Sequence, residues 1–335
     1  LMGLPSVVNS NVRSNSTRNP VPTATATLPP TSPRWWGVCS LDGHSFGLCL
    51  THDVDRPYKR LYQTLYYTVQ DRDDRHLREY LTGENPFWQF ETVRSLEDDL
   101  GVRSAFYFLN EPHLLATDPG TLLDSTTWVE KLGRYDVTDH EIAGVIRDLD
   151  AGGWEVGLHG FYHTARDRDR LRIEKERIET VLGHAITGGR QHHLRHANAE
   201  TWRHYRALGL QYDASLGSTT DYGFDGEYWV RRPFNDDFVL FPLTLMEQTL
   251  PDPGEYFSRA WDICESLLTE AAANDAVMTI LWHPRLFAER EFPGYRRLYR
   301  RLVATALERE AWVGPPAEFY EAFLADGSRQ ESPRI

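Results

Sequence analysis

Cysteine is scarce in this chain: three residues in 335, Cys39, Cys49 and Cys264, too few for a disulfide framework. Cys39 and Cys49 lie symmetrically about Asp42-Gly43-His44-Ser45, so they either face each other across a hairpin or are two small buried side chains. Lysine is as rare, at Lys59, Lys131 and Lys175, so nearly all of the 36 basic residues are arginine. That bias fits genome composition, and it also suits bidentate recognition of carboxylates. Positive charge is in deficit overall, with a formal net charge of −13. Nothing then offsets repulsion from phosphates over a wide area, which argues against nucleic acid as a partner. No apolar run approaches the ~18 residues needed to span a bilayer. The first residues lack the charged-then-apolar order of a secretory signal, so the default expectation is a cytoplasmic chain, a processed start aside. No repeat occurs at solenoid or propeller periods.

What is present is ordinary globular material: 41% hydrophobic and 12% aromatic residues, enough for one large α/β domain or two modest ones. Residues 1–33 are rich in Ser, Thr, Asn and Pro and read as a disordered tail, leaving 34–335 for the folded domain. Strand-like runs at 46–51, 104–109, 154–158, 211–214, 238–242 and 277–282 alternate with helical patterns near 58–82, 86–99, 138–151, 168–182, 198–208, 255–273 and 293–309. Thr138-Asp139-His140-Glu141 reads as a capping box ahead of Ile142, Val145, Ile146 and Leu149. Repeated βα order implies a parallel sheet or barrel with its chemistry at the C-terminal strand ends.

Three such ends carry ionisable groups. Leu48-Cys49-Leu50-Thr51-His52-Asp53-Val54-Asp55 closes on two carboxylates spaced i, i+2, which on a strand share a face while His52 and Val54 point away. Two acids on one face need a cation to stay ionised together. Trp154-Glu155-Val156-Gly157-Leu158 runs into His159-Gly160-Phe161-Tyr162-His163, whose i, i+4 imidazoles could grip one metal ion from a helical turn. Val277 to Trp282 ends in His283-Pro284, where an imidazole can serve as acid or base near neutral pH. Gly188-Gly189-Arg190-Gln191-His192-His193-Leu194-Arg195-His196 mixes cations with imidazoles and carries no carboxylate. It reads as a site-lining loop, with Arg190 orienting a carboxylate and its ring residues touching substrate, or else as solvated surface.

The order Thr51-His52-Asp53-Val54-Asp55, His159-x-x-x-His163, Gly189-Arg190 and Leu281-Trp282-His283 resembles the polysaccharide deacetylase family, the NodB-homology or carbohydrate esterase family 4 group. The resemblance implies an α/β fold, a distorted (β/α) barrel, holding one divalent metal ion, most often zinc, and an acetylated carbohydrate as substrate. It makes Asp53 the catalytic base, Asp55, His159 and His163 the metal ligands, Arg190 the residue steadying the base and His283 the general acid. Tyr162, His193 and Arg195 fall where substrate contacts are expected. Two departures stand out: Val54 separates aspartates that are usually adjacent, so the two acids could exchange roles, and His192-His193 replaces a Pro-aromatic pair. A small-amide hydrolase on the same scaffold and a glycan-binding module without turnover are the rival readings. The sequence does not fix the oligomeric state.

Overall fold

The computed structural model describes residues 41, 43–110, 135–234 and 236–330, with side chains to residue 324, all within one compact unit. The expected tail at 1–33, together with Cys39 and Lys131, lies outside the described residues. Among the described residues nine strands form one sheet: β1 (Gly47–Val54), β2 (Ala105–Leu109), β3 (Glu155–Gly160), β4 (Gly188–Gln191), β5 (Tyr212–Asp213), β6 (Val239–Leu240), β7 (Leu243–Met246), β8 (Val277–Leu281) and β9 (Trp312–Gly314). Their order is β6-β5-β4-β3-β2-β1-β8-β7, and every strand pairing is parallel. Along β1, Gly47–Cys49 pair with β9 and Thr51–Val54 pair with β2, so successive halves of the strand serve different neighbours.

Strands β6 and β7 stand at opposite ends of this order, yet only Phe241 and Pro242 separate them in the chain. Three Cα steps span at most about 11 Å. The sheet must therefore curl until its two edges nearly meet, and the result is a distorted, incompletely hydrogen-bonded (β/α) barrel.

Helices α1 (Leu61–Gln70), α2 (Arg75–Thr82), α3 (Phe90–Leu100), α4 (His140–Ala151), α5 (Arg168–Leu182), α6 (Ala199–Ala207), α7 (Pro253–Ala273), α8 (Tyr295–Glu308) and α9 (Pro316–Gln330) fill the connections. Ile142, Ile146 and Leu149 of α4 bury the expected face. The expected capping box does not form: α4 starts one residue later, with Asp139 at its N-cap, while the Thr138 hydroxyl turns back to Asp136 and Glu141 accepts from Tyr58. The single long helical pattern over 58–82 is two helices, broken at residues 71–74.

Paired residues of a parallel sheet face the same side, so the register sorts the barrel interior into layers. Glu155, Tyr107 and Tyr212 form a floor, in which the Tyr107 and Tyr212 hydroxyls meet at 3.0 Å and Tyr212 donates to Glu155. Glycine is required between these rings, since a Cβ at Gly188 would lie 2.3 Å from the Tyr212 ring. Thr51 and Asp53 share rows with Glu155 and Tyr107, while Arg190, paired with His159 nearer the C-terminal strand ends, reaches across to the Thr51 hydroxyl and the Asp53 carboxylate. His52 points outward, as the i, i+2 alternation requires, into a buried network around Glu97 with Tyr299, Ser104 and Trp154.

Candidate metal centre

Asp53 ends its strand with only 4% exposure and is not left uncompensated. The fully buried Arg190 reaches in from β4 and donates from Nη1 to Asp53 Oδ1 at 2.9 Å. Arg190 is itself held by the Ala214 carbonyl at 2.8 Å and by Thr51 Oγ1 at 2.9 Å. One Asp53 oxygen is thereby fixed, while Oδ2 faces His159 Nε2 at 3.8 Å. A guanidinium beside a buried carboxylate offsets its charge and aims it.

Asp55 sits one pleat further on. Its Oδ1 lies 3.0 Å from His159 Nε2 and 3.7 Å from His192 Nε2, and its Oδ2 lies 3.2 Å from His283 Nε2. Burial pushes the Asp55 carboxyl up, but the His192, His159 and His283 imidazoles outweigh it and hold it well below the ordinary range. His159 Nδ1 is 3.0 Å from the Arg190 carbonyl. A carbonyl only accepts, so Nδ1 carries the proton and Nε2 is turned on Asp55, the arrangement of a metal-ligating imidazole with its outer hydrogen bond in place. Burial keeps His192 well below its usual pKa and hence neutral, as a ligand must be.

Asp55, His159 and His192 offer ligand atoms all within 4.8 Å of one another. Asp55 Oδ1 and His159 Nε2 are buried without a hydrogen bond. One carboxylate, two imidazoles and orphaned donor atoms are what a divalent cation of the zinc type requires, so these residues fit the ion.

His163 is not part of this group. The expectation placed His159 and His163 on one helical turn, but His159 lies on β3, which runs to Gly160. The chain then turns through Phe161 and Tyr162, pinned by Glu174 of α5, which accepts from the Phe161 amide and the Thr164 hydroxyl. His163 is left exposed at the start of a short 3-10 turn, its ring against Phe161 and Tyr162. The second imidazole comes from the neighbouring strand instead. His192 stands two residues beyond Arg190, on the same face of the extended chain, and its ring centroid lies 5.1 Å from that of His159; His193 (φ 56°) and Leu194 (φ 54°), both left-handed, turn the chain directly after it.

His283 follows β8 and is 6% exposed. Its Nδ1 meets Glu247 Oε1 at 2.6 Å. Burial would lower this imidazole, but the Glu247 charge, with hydrogen bonds to Asp55 and Glu247, raises it to about 9. Glu247, fully buried just beyond β7, was not singled out from the sequence. Its strand is short, and nothing in Thr244-Leu245-Met246-Glu247 marks it as functional. The expected substrate residues cluster beside His192: the Arg195 guanidinium lies 4.0 Å over the Tyr162 ring, and His193 packs on His192 at 4.1 Å and on Tyr162 at 5.7 Å.

A second cluster, His76, Glu79 and Glu291, also has ligand-like spacing. Lys59 Nζ occupies it, 2.7 Å from His76 Nδ1, 3.3 Å from Glu79 and 2.8 Å from Glu291. Its cation is an ammonium, and it is a buried structural network.

No family profile and no curated protein matches the sequence. Solved structures do. A candidate polysaccharide deacetylase from Mycobacterium smegmatis is 19% identical with a TM-score of 0.57, over 92% of this chain and 98% of the other. A second, from Pseudomonas aeruginosa PAO1, is 12% identical with a TM-score of 0.53, over 87% and 93%. The fold is that of the polysaccharide deacetylases. Within the NodB-type barrel, Asp53, Asp55, His159, His192 and His283 stand at or just past the C-terminal strand ends.

Proposed function

We propose that the chain is a metal-dependent hydrolase that removes acetyl groups from N- or O-acetylated sugars of a polysaccharide. The observation that carries this reading is the convergence of three groups: a guanidinium-clamped Asp53, an Asp55-His159-His192 cluster with orphaned donor atoms, and a Glu247-held His283 on the far oxygen of Asp55. Asp55, His159 and His192 would hold the ion. A bound divalent cation supplies Lewis acidity to a carbonyl oxygen and to water.

The protein's own groups do the rest. Asp53 receives the proton of the attacking water at Oδ2, the oxygen that Arg190 leaves open. Arg190 holds Oδ1, so the carboxylate is fixed and the lone pair of Oδ2 stays directed. His283, protonated near neutral pH, delivers a proton from Nε2 to the leaving nitrogen or oxygen. Glu247 fixes its Nδ1–H and thus the ring orientation. An amide nitrogen leaves poorly until protonated, which gives His283 its largest effect on N-acetyl substrates.

Acetate release from acetylated oligosaccharides is the test. Wild-type protein should release acetate in a chelator-sensitive way, and Asp53→Asn should abolish release while the protein still binds zinc. Zinc binding with no acetate released from any acetylated glycan would sink the proposal.

A further inference from the structure

Two carboxylates of this centre are already matched, Asp53 by Arg190 and Glu247 by His283, and Asp55 faces the candidate metal position. Two further guanidinium groups stand beside them. Arg56 and Arg285 line one small cleft together with Asp53 and Asp55, walled by Phe87 and Pro284. Arg285 Nη1 lies 3.8 Å from Asp55 Oδ2, beyond hydrogen-bond reach, and its side chain is only 20% exposed. Arg56 is half-buried next to Asp55 in the chain. Among the described residues Arg56 has no carboxylate within ion-pair distance, and Arg285 has only Asp55, whose charge a bound cation would consume.

This excess is out of character for a chain with 49 acidic and 36 basic residues, most of whose buried cations are paired. A partly buried guanidinium without a partner is costly to hold, and its planar fork matches carboxylate or phosphate bidentately. Neutral sugar hydroxyls offer no such match.

We propose that Arg56 and Arg285 form an anion subsite beside the metal centre, so that the preferred ligand is an acetylated sugar bearing a carboxylate or phosphate group. The inference rests on the deacetylase reading for the acetyl group, but the anion preference can be read by binding alone. Free and metal-held anions are separated by mutating the arginines while leaving Asp55, His159 and His192 in place.

The experiment is calorimetric titration of the zinc-loaded full chain with N-acetylglucosamine, N-acetylglucosamine 1-phosphate and the corresponding N-acetylated hexosaminuronate. At least one anion should bind wild type tenfold or more tightly than the neutral sugar, and the tighter of the two identifies the charged group. The double variant Arg56→Gln/Arg285→Gln should lose that preference while its affinity for the neutral sugar is kept. Arg56→Lys/Arg285→Lys, which preserves charge and bulk, should retain part of it and serves if the glutamine variant does not fold. Equal binding of all three ligands by wild type overturns the subsite. So does a preference that survives in the double variant, since the anion would then sit on the metal. Acetate release from the same ligands is scored separately. Anion preference without release removes the proposed chemistry and leaves the subsite standing, and release with equal binding of neutral and charged sugars does the reverse.

Discussion

Replacing His192 with alanine should empty the metal centre, and replacing His163 should not. His192 Nε2 lies 3.7 Å from Asp55 Oδ1, its side chain is 12% exposed, and burial keeps the ring neutral. It is one of three donors in the cluster, so its loss leaves Asp55 and His159 alone. Removing an outer hydrogen-bond partner of a metal ligand already costs roughly 10–100-fold in affinity. A direct donor should cost at least the upper end of that range, which is about 3 kcal/mol at 1.4 kcal/mol per decade. His163 is exposed and lies outside the cluster, so His163→Ala should leave affinity at the wild-type value. Zinc content after dialysis, followed by competition with a chromogenic chelator, reads both variants on one scale. Loss of zinc from His163→Ala with retention by His192→Ala would refute the assignment, and with it the argument that strand register rather than helical spacing builds this site.

His283→Ala should leave zinc bound and lower the rate by about 10²–10⁴, the range for a positioned acid; an emptied site would show that His283 is a ligand instead. Because His283 is raised to about 9 chiefly by the Glu247 charge acting against burial, the protonated acid is lost as pH rises through 9, and Glu247→Gln should move the alkaline limb of the pH–rate profile toward neutrality. An unmoved limb counts against the pairing. Burial of Glu155, opposed by the Tyr212 hydroxyl and the Ala317 amide, raises its carboxyl from 4.5 to about 7. The folded state then holds a proton that the unfolded chain releases, so this contribution is complete below pH 4.5 and is lost as pH rises through 7, a decline on the order of 3 kcal/mol. Denaturation midpoints of Glu155→Gln should be flatter over that window, and parallel curves would show the group is not the cause. Lys59→Ala leaves Glu79 and Glu291 buried around a missing ammonium, at a cost of about 3–5 kcal/mol in chemical denaturation. A loss under about 1 kcal/mol would mean the cluster relaxes or takes up another cation.

Much of the barrel could be read from the chain because its strong strands are apolar runs closed by polar tips. Residues 46–51, 104–109, 154–158 and 277–282 anticipate β1, β2, β3 and β8 within a few residues. Strand β4 escaped because Gly188-Gly189-Arg190-Gln191 has the composition of a loop. Its glycines are there to admit the Tyr212 ring and the Leu158 backbone, a demand set by neighbours far away in sequence. Strands β7 and β9 and helix α9 were missed for similar reasons, being short or lacking a sharp period. At the site, the pairing of Asp53 with Arg190 and the place of His283 followed from strand-end position. The proposed role of His192 did not, since a tract of two arginines and three histidines looks like a poor metal site until its arginine is seen to be spent on Asp53.

That last point carries the logic of the whole centre. In a parallel sheet the C-terminal ends of adjacent strands reach the same height, and here His159 is in register with Arg190. A residue two positions past Arg190, on the same face of the extended chain, is therefore as well placed to join His159 as any residue of the turn after β3. The left-handed His193–Leu194 pair then turns the chain directly after His192, at a cost of roughly 1–2 kcal/mol per residue. One segment thus delivers both the arginine that clamps Asp53 and the imidazole that faces Asp55. Coupling them fixes the distance between the base and the candidate metal position through a single short strand, with no demand on the loop after β3 that carries Tyr162 and His163.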